Sequence, residues 1–558
     1  MKKLLAAAGV LSLLAACATP RTEAPPPTAG VASPISAANL ARHVETLSSD
    51  RFEGRAPATP AEQLTINYIA EQFQAAGLQP GGENNGWFQS VPLLMSDITG
   101  PVAASFSAGG QAMPLQQGPQ IAIRSNMTGQ ANVNIQNAPV VFAGYGVTAP
   151  ECQWDDYAGL DVRGKVVVVL INDPDFDAER TTTCFGGPAM TYYGRWTYKY
   201  AEAARRGAAG LIIVHETAPA SYGWATVQNS NTNTMFDIVR QNPAGAHPVL
   251  EGWIQRDVAV DLFRRAGLNF DQLRASARNQ GFRPVPLPNT TFSAQYATNQ
   301  RQIVSRNVVG RLPGSTRPNE TVIYSGHWDH LGVGAPDARG DRIYNGAVDN
   351  ATGIAGLIEV ARAFASGPRP ERSVVFLAVT AEEKGLLGTT FYTQNPLYPL
   401  GTTAGVINMD GFQPYGPTRD MTTSGSARVG LQDDLVALLQ AEGRVYTPDP
   451  RPEAGSFYRS DHFPFAQVGV PAISIGRGSD LINGGVEASR AAREAYTRDR
   501  YHQQADEYSA DWDFSGMVQD FGLAYRLGRN LANSTRWPEW GEGTEFRAAR
   551  QQTAAERR

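Results

Sequence analysis

The sequence predicts an α/β protein with a largely parallel mixed sheet flanked by helices, into which a smaller, β-rich α/β domain is inserted. Three observations lead to this fold class. Strand-like and helix-like segments alternate from residue 307 onward, a continuous β-branched run (KVVVVLI) occupies 165–171, and the 558 residues exceed what one hydrophobic core accommodates. Alternation of strands and helices favours parallel strands, because each helix carries the chain back across the sheet.

The first 16 residues are predicted to be a signal peptide. Lys2 and Lys3 form a positive n-region, and the apolar segment 4–14 is too short to span a bilayer. The Leu-Ala-Ala sequence before Cys17 resembles the lipobox of bacterial lipoproteins, which implies cleavage before Cys17 and its acylation. The alternative is an ordinary secretory signal with an incidental cysteine. Ala18 is not the aspartate that retains many lipoproteins at the inner membrane, so a lipid-anchored protein of a Gram-negative outer membrane is expected, in the periplasm or at the cell surface.

The folded part is predicted to begin after a Pro-rich tether at 17–34. The first part of the main domain, 35–125, contains apolar residues at helical spacing (Leu40, Val44, Leu47) and a second helix at 62–76 that ends at a glycine. Both helices are therefore expected to bury one face against the main core.

An inserted domain is predicted at 126–288, where few groups are arranged for chemistry. It shows strands at 139–147, 165–171 and 211–214 and a helix at 198–206. Two of the three cysteines of the chain, Cys152 and Cys184, lie in this region. An exported protein enters an oxidising compartment, so these two either form a disulfide or remain free thiols.

The main part of the larger domain is predicted at 289–545, followed by a frayed tail at 546–558. The sequence indicates strands at 308–312, 321–324, 373–380, 405–408 and 471–475, with helices at 352–364, 431–442 and 515–531. Such alternation is typical of an α/β domain whose strands are mostly parallel.

Composition excludes some classes of function. The formal net charge of −5, a pI of about 5.9 and the lack of a basic stripe exclude a nucleic-acid-binding surface. No segment beyond the signal peptide has the length and hydropathy of a membrane span, so membrane contact is expected only through the lipid anchor. The sequence leaves the oligomeric state open.

Five segments place His, Asp or Glu just after predicted strands. Ligands of open α/β sheets bind outside the carboxyl ends of the strands, so these segments are expected to meet at one edge. They are SGHWDHLG at 325–332, NGAVDNATG at 345–353, TAEEKG at 380–385, NMDGF at 408–412 and YHQQAD at 501–506.

This set of motifs resembles the M28 family of co-catalytic zinc peptidases, over roughly 35–100 and 300–535. The insert, with GYGV, GKVVVVLIND and GAAGLIIV, resembles the protease-associated (PA) domain. The resemblance implies a zinc-peptidase (phosphorylase/hydrolase-like) fold and two zinc ions per chain, with peptides as substrates. It assigns His327, Asp349 and Asp410 to one ion and Asp349, Glu383 and His502 to the other. Val348 stands where many relatives have a second acid.

The resemblance also implies roles around the metals. Glu382 would be the general base for a water held between the ions, and Tyr501 would donate a hydrogen bond to the oxyanion. Asp329 would accept the second imidazole N–H of His327 through its carboxylate and fix the tautomer. Arg459 is a candidate for contacting the peptide. His330, His43, His215 and His247 are interpreted as structural or surface residues.

Three functions remain open at this point. An aminopeptidase is favoured, because acidic groups beside the zinc pair suit a free α-amino group. A carboxypeptidase or dipeptidase of the same family needs basic residues for a substrate carboxylate, and Arg459 and Arg477 are available. A receptor-like binding protein without catalysis, or a single-zinc glutaminyl cyclase, fits poorly, since all five ligands and the base are present and the insert resembles a PA domain. The preferred substrate residue and the native metal do not follow from the sequence.

Overall fold

The computed structural model describes residues 34–176, 184–425 and 428–557. The predicted signal peptide and Cys17 fall outside these residues. One sixteen-stranded mixed sheet runs through the described chain, with helices packed on both of its faces. This architecture confirms the predicted fold class. A search of the described helices finds none with the length and hydropathy of a membrane span.

The first helices form as their apolar spacing predicts. Helix α1 (Ala37–Leu47) starts where the Ser36 side chain accepts the amide of Asn39, and its buried positions include Leu40, Val44 and Leu47. Helix α2 (Pro60–Ala76) ends at Gly77, whose φ of +94° suits the left-handed cap. Four strands follow: β1 Gln79–Pro80, β2 Phe88–Ala108, β3 Gln111–Leu115 and β4 Ile121–Ile123.

The inserted domain is built around a buried parallel sheet. The predicted β-branched run forms strand β8, which is fully buried between parallel neighbours on both sides. Burial on both faces explains why this strand is continuously apolar rather than alternating. The elements are β5 Asn132–Phe142, β6 Thr148–Ala149, β7 Trp154–Asp155, β8 Val166–Leu170, β9 Gly210–His215, β10 Met235–Ile238, β11 Leu250–Gln255, α3 Trp196–Arg205, α4 Thr217–Ala220, α5 Trp224–Asn231, α6 Arg256–Arg265 and α7 Phe270–Ser276.

The boundary of the inserted domain differs from the predicted 126–288. Ala104, Phe106 and Leu115, which the sequence placed in the first part of the peptidase domain, belong to the hydrophobic core of the insert. The reason is the length of strand β2, which begins in the main domain and ends in the insert. A sequence pattern shows that a strand exists but not where it crosses from one core to the next.

Strand β12 (Val285–Leu312) is the other crossing element. Its 28 residues pair antiparallel with β2 over most of their length, with a bulge between Gln295 and Ala297. One end of β12 pairs with β5 of the insert and the other end pairs with β16 of the main domain. The two domains therefore share one continuous backbone hydrogen-bond ladder, called the β2–β12 ribbon below.

The main domain orders its strands β19-β18-β20-β17-β13-β16-β12. The central neighbours β16, β13, β17 and β20 are parallel, as predicted. The elements are β13 Arg317–His327, β14 Gly332–Val333, β15 Ile343–Tyr344, β16 Arg372–Val379, β17 Thr403–Met409, β18 Asp420–Thr423, β19 Val445–Tyr446, β20 Ala472–Arg477, α8 Thr352–Ser366, α9 Leu387–Gln394, α10 Gly430–Ala441, α11 His462–Gln467, α12 Gly485–Asp499, α13 Ser515–Asn533 and α14 Arg547–Gln552.

Alternate residues of the central strands point into two different cores. Tyr324 and Phe376 pack with helices α1, α2, α8 and α13, whereas Ile323 and Val375 pack with residues of α9 and α11. Successive side chains of a strand point to opposite faces, so the sheet lies between two helical layers. This sandwich leaves only the edge at the strand ends for a site.

The predicted frayed tail at 546–558 is wrong for the residues that the structure describes. Residues Arg547–Gln552 form helix α14, and the side chain of Arg550 is 1% exposed. Its guanidinium donates to the carbonyl of Thr403, at the start of a central strand. The polar composition concealed this element, because a single buried arginine leaves no hydrophobic period.

Cys152 and Cys184 form a disulfide within the insert, with their Cα atoms 5.5 Å apart. The bridge closes a loop with a sequence separation of 32 residues. Closing such a loop removes conformational entropy from the unfolded chain.

We expect a Cys152→Ser, Cys184→Ser double variant to lose about 2–4 kcal/mol of stability, because the unfolded chain regains the entropy of the open loop. Thermal unfolding with and without a reductant measures the effect, and reduction of the wild-type protein should reproduce it. Peptide mapping without reduction is the direct check. Recovery of both cysteines as free thiols from oxidised protein would contradict the bridge.

Candidate metal centre

The five candidate segments meet at one edge of the central sheet. His327 ends strand β13, Glu382 and Glu383 follow β16, and Asp410 follows β17. These three strands are parallel neighbours in register, so their carboxyl ends lie side by side. The turn before α8 supplies Asp349, joined to Asn350 by a cis peptide bond.

One group of possible ligands surrounds the imidazole of His327. Its Nε2 atom lies 3.3 Å from an oxygen of Asp349 and 3.3 Å from an oxygen of Asp410. These three side chains are one of the clusters whose geometry suits a metal ion. They are the three residues that the sequence assigned to the first ion.

A second group surrounds Glu383. The Nε2 atom of His502 lies 3.1 Å from one oxygen of Glu383 and 3.2 Å from the other oxygen of Asp349. Asp349 therefore stands between the two histidines, where the motif resemblance implies a ligand shared by both ions. His330 also reaches Glu383, through Nδ1 at 2.5 Å, and with Asp349 and Glu383 it forms another metal-compatible cluster.

The acidic groups of the site have no arginine or lysine as ion-pair partner in the described part of the chain. Asp349, Glu382, Glu383 and Asp410 form ion-pair contacts with histidines alone. Three of them are at least nine-tenths buried by side-chain area. Buried charge without a counter-ion is costly, and imidazole nitrogen with carboxylate oxygen is a donor set that zinc accepts. The residues fit two divalent cations.

Asp329 differs from its expected role. The Nδ1 atom of His327 lies 3.1 Å from the backbone carbonyl of Asp329, and 3.8 Å from the carboxylate. The carboxylate instead accepts the backbone amides of Glu382, at 3.0 Å, and Glu383, at 3.4 Å. The predicted carboxylate–imidazole hydrogen bond is therefore wrong: the backbone fixes the tautomer, and the side chain orients the two glutamates.

Glu382 lies beside the cluster, and with His327 and Glu383 it forms a third metal-compatible group. Its carboxylate is 3.9 Å from His327 Nε2, beyond hydrogen-bond distance. Burial raises the pKa of Glu382 well above its ordinary value; the positive charge of His327 opposes this, and Asp461 and Asp410 add to it. The sequence analysis assigned no role to Asp461.

Two further residues hold the ligand loops and were missed by sequence reasoning. The carboxylate of Asp506 accepts the backbone amides of Val348 and Asp349, at 3.1 Å each. The buried guanidinium of Arg55 donates to backbone carbonyls of four residues: Leu47, Trp328, Asn345 and Gly346. Asp506 ends a quoted motif, whereas Arg55 follows a glycine in a turn and carries no signal of this role.

The inserted domain forms one wall of the site, which the sequence did not predict. The Ser230 hydroxyl of α5 lies 2.7 Å from Nδ1 of His502, and Asn229 donates to the His502 carbonyl at 2.9 Å. The Tyr501 ring lies against the His502 ring, with centroids 3.9 Å apart. Burial raises the pKa of Tyr501 well above its ordinary value, so its hydroxyl keeps the proton that a hydrogen-bond donor needs.

A cavity of about 630 Å³ opens onto the cluster between the two domains. Arg459 lines it, but its Nη2 donates to Ala220 and to Ser221 of the insert. Arg195 of the insert is buried beside it, and its Nε has no hydrogen-bond partner in the described chain. Burial and the positive charge of Arg459 lower the pKa of Arg195 to about 10. No sequence motif indicated Arg195.

The family models agree with this geometry. Residues 307–525 match the model described as Peptidase family M28, and residues 136–245 match that of the PA domain. Residues 307–525 are thus similar to the M28 peptidases. The segment that matches the PA domain lies ahead of them, within the wider span predicted from sequence.

Known proteins resemble parts of the chain. A probable zinc metalloprotease of Pyricularia oryzae is 27% identical over 251 residues, 43% of this chain and 46% of that protein. A glutamate carboxypeptidase 2 homolog of Caenorhabditis elegans is 31% identical over 192 residues, 31% of this chain and 22% of that protein. The chain thus spans less than half the length of these relatives.

Among solved structures, an aminopeptidase from Aneurinibacillus sp. strain AM-1 has a TM-score of 0.50 at 18% identity. The alignment covers 88% of this chain and 94% of that chain. At this identity the likeness shows the fold, and it extends over both the M28 peptidase domain and the PA domain.

A charged network in the PA domain borders the same cavity. His247 lies between Asp237, at 2.9 Å from Nε2, and Glu251, at 2.7 Å from Nδ1. Arg124 and Arg240 pair with the same two carboxylates. Burial alone would lower the pKa of His247, but Glu251 and Asp237 outweigh it and raise the pKa from 6.5 to about 9.

Stability should therefore depend on the charge of His247. A raised pKa stabilises the fold fully below the unfolded value of 6.5, and the contribution disappears as the pH rises through about 9. We expect His247→Gln to destabilise the protein by on the order of 3 kcal/mol at pH 6 and by much less at pH 10. Urea unfolding at both pH values measures this difference.

His215→Gln is the matched control. His215 is also buried in the PA domain, but burial lowers its pKa, so it is neutral in both folded and unfolded chains above pH 7. The effect of His215→Gln on the free energy of unfolding should stay constant from pH 7 to pH 10. An effect of His247→Gln that is equal at pH 6 and pH 10 would contradict the charged state of His247.

Proposed function

We propose that this chain is a zinc-dependent exopeptidase, and specifically an aminopeptidase, that uses two zinc ions. The observation that supports this most strongly is the convergence of two imidazoles and four carboxylates in a cavity, with no arginine or lysine paired to those carboxylates in the described chain. His327, Asp349 and Asp410 would hold one ion, and Asp349, Glu383 and His502 the other.

The chemistry of the reaction would be divided between the metals and the chain. Two bound zinc ions polarise a carbonyl group and lower the pKa of water at the site. Glu382 accepts a proton from the attacking water at its carboxylate and delivers it to the nitrogen of the leaving amine. Tyr501 donates its hydroxyl proton in a hydrogen bond to the oxyanion. Asp329 holds the amides of the glutamate turn and so keeps Glu382 in place.

A free α-amino group suits the acidic side of the site. Glu382 and Asp410 face the cavity, and their charges attract an ammonium group there. The PA domain closes the cavity on one side, where Ser230 and Tyr222 form part of the wall. A site that ends close to the metals accommodates the end of a chain rather than its middle, which favours an exopeptidase.

A second candidate is a carboxypeptidase or dipeptidase, favoured by the arginines of the cavity. The Nε atoms of Arg195 and Arg459 and the Nη1 atom of Arg477 are buried without hydrogen-bond partners in the described chain. Guanidinium groups bind carboxylates with paired hydrogen bonds. A substrate carboxylate would accept hydrogen bonds from these guanidinium nitrogens, which have no other partner in the described chain.

The two candidates are separated by a panel of matched substrates. It pairs aminoacyl-chromophores with their N-acetylated forms, and dipeptides with their C-terminal amides. An aminopeptidase loses activity when the N-terminus of the substrate is acetylated but not when its C-terminus is amidated. A carboxypeptidase shows the opposite pattern. A dipeptidase loses activity on both changes. Zinc-loaded protein that hydrolyses none of these compounds would reject the exopeptidase proposal.

We also propose that Cys17 is the acylated N-terminus of the mature protein. The support is the apolar segment 4–14 followed by Leu-Ala-Ala before the cysteine. Several acyl chains on one cysteine hold a protein at a membrane more firmly than a single chain does.

If Cys17 carries the anchor, we expect Cys17→Ala to move the protein from the membrane fraction to the soluble fraction, because no acyl chain can be attached. Fractionation with immunodetection measures this. An Ala18→Asp variant should keep the anchor but remain at the inner membrane. Wild-type protein that is wholly soluble would refute the proposal.

The shared position of Asp349 predicts the metal stoichiometry. We expect two zinc ions per wild-type chain, and Asp349→Asn should weaken both sites because both lose a ligand. Asp410→Asn should weaken one site only. Metal analysis after dialysis against a weak chelator measures the zinc content of the wild type and of the two variants. A wild-type stoichiometry near one with full activity would exclude the two-zinc proposal.

Glu382→Gln separates catalysis from metal binding. General-base catalysis contributes roughly 10²–10⁴-fold, so kcat should fall by about that factor. Zinc content and KM should change little, because glutamine keeps the size of the side chain and no ligand is altered. Steady-state kinetics and metal analysis on the same sample measure both effects.

Glu383→Gln is the control for that variant. It removes a ligand carboxylate one residue away, so it should lose zinc as well as activity. If Glu382→Gln lost zinc while Glu383→Gln kept it, the roles of the two glutamates would be exchanged. Near-normal turnover of Glu382→Gln with both ions bound would exclude Glu382 as the base.

A further inference from the structure

We propose that Ser230 of the PA domain is a positioning residue for the metal ligand His502, so that the insert completes the metal centre of the peptidase domain. The inference rests on the proposed function in that it takes His502 as a zinc ligand. Its observation is independent of that function: the Ser230 hydroxyl lies 2.7 Å from Nδ1 of His502.

The hydrogen bond is compatible with the tautomer of His502 that binds a metal through Nε2, because a serine hydroxyl can accept the Nδ1 proton. A neutral imidazole carries one proton, and a nitrogen that binds a metal must be free of it. When Ser230 Oγ accepts the Nδ1 proton, Nε2 is left with its lone pair exposed. That Nε2 atom is the one that faces Asp349, at 3.2 Å, and Glu383, at 3.1 Å.

The backbone of this ligand is also held from the PA domain. His502 has a φ of +55°, in the left-handed region that residues other than glycine rarely adopt. Asn229 donates to its carbonyl at 2.9 Å, and Thr226 donates to the carbonyl of Tyr501 at 3.3 Å. Contacts from the insert thus stabilise a turn that is unfavourable by itself.

The same segment of the PA domain reaches the second ligand loop. Lys384, next to Glu383, is 7% exposed and donates to Asn233 at 2.7 Å and to the Ser230 carbonyl at 3.2 Å. Ser230 therefore contacts one ligand turn through its hydroxyl and the other through its carbonyl. This double contact fixes the separation of His502 and Glu383, which must bind the same ion.

Deleting the insert cannot test this role, because the β2–β12 ribbon belongs to both domains. Changes of a few atoms can. Ser230→Ala removes the acceptor, and Ser230→Thr keeps it. Thr232→Val is the matched control: Thr232 is an exposed residue two positions away, and its hydroxyl donates to the Gln228 carbonyl of the same segment.

The primary measurement is zinc affinity of the full-length protein, by competition with a chromophoric chelator. Loss of a hydrogen bond behind a metal-binding histidine typically weakens the metal by about 10–100-fold. We expect that loss at one of two sites in Ser230→Ala, with a lower kcat and a nearly unchanged KM at saturating zinc. Ser230→Thr should restore both values, and Thr232→Val should match the wild type.

Wild-type zinc affinity and kcat in Ser230→Ala would overturn the proposal, as would an equal loss in Thr232→Val. If Ser230→Ala does not fold, Ser230→Cys, which keeps the size but is a weak acceptor, is measured instead, with the same two criteria. Failure of the proposed function gives a different result. In that case no substrate is cleaved by zinc-loaded wild type, while the difference in zinc affinity between the serine and alanine forms still tests Ser230.

Discussion

Four carboxylates lie together at one edge of the sheet, and the rest of the site is arranged around the repulsion between them. Their partners are histidines, while the nearby arginine and lysine of the ligand loops are bonded to uncharged groups. Arg55 binds backbone carbonyls, and Lys384 binds an asparagine and a carbonyl of the PA domain. Within the described residues, no arginine or lysine pairs with these carboxylates. Loops carrying like charges remain close because backbone amides of these loops donate to the carboxylates of Asp329 and Asp506, which hold the main chains in place. These four carboxylates can therefore bind metal cations.

Much of the fold and the ligand set could be predicted from sequence, because both depend on local patterns. The apolar periods of α1, α2, α8 and α13 gave helices within a few residues of their observed bounds. The β-branched runs gave the central strands. Once strands β13, β16 and β17 were placed, parallel order alone brought His327, the glutamate pair and Asp410 to a common edge. The motif resemblance then supplied Asp349 and His502. The sequence placed both after strands, but His502 follows helix α12.

The contributions that escaped prediction depend on contacts distant in sequence. Ser230 reaches a histidine 272 residues away, and Arg55 reaches a carbonyl 291 residues away. Neither residue belongs to a periodic pattern, since a single hydroxyl or guanidinium bonded to a backbone atom leaves no trace in composition. The role of Asp329 was predicted incorrectly for a related reason: its position near His327 was right, but whether the carbonyl or the carboxylate faces the ring depends on one backbone turn. The start of the insert was also misplaced, because strand β2 is continuous across two cores.

The continuity of those two strands affects how the protein can vary as well as how it folds. A domain tethered by a flexible linker can swing, and its motion then sets how wide a cleft opens. Here the PA domain is joined to the peptidase sheet by paired strands, which bend and twist as one ribbon and resist hinging. The bulge between Gln295 and Ala297 interrupts that ladder, and such irregularities increase local twist. This bulge therefore influences the angle between the two domains, although neither Gln295 nor Ala297 is a metal ligand. Substitutions along the ribbon can tilt the PA domain slightly relative to the candidate metal ligands. Related proteins could therefore change the shape of the pocket without changing the ligands.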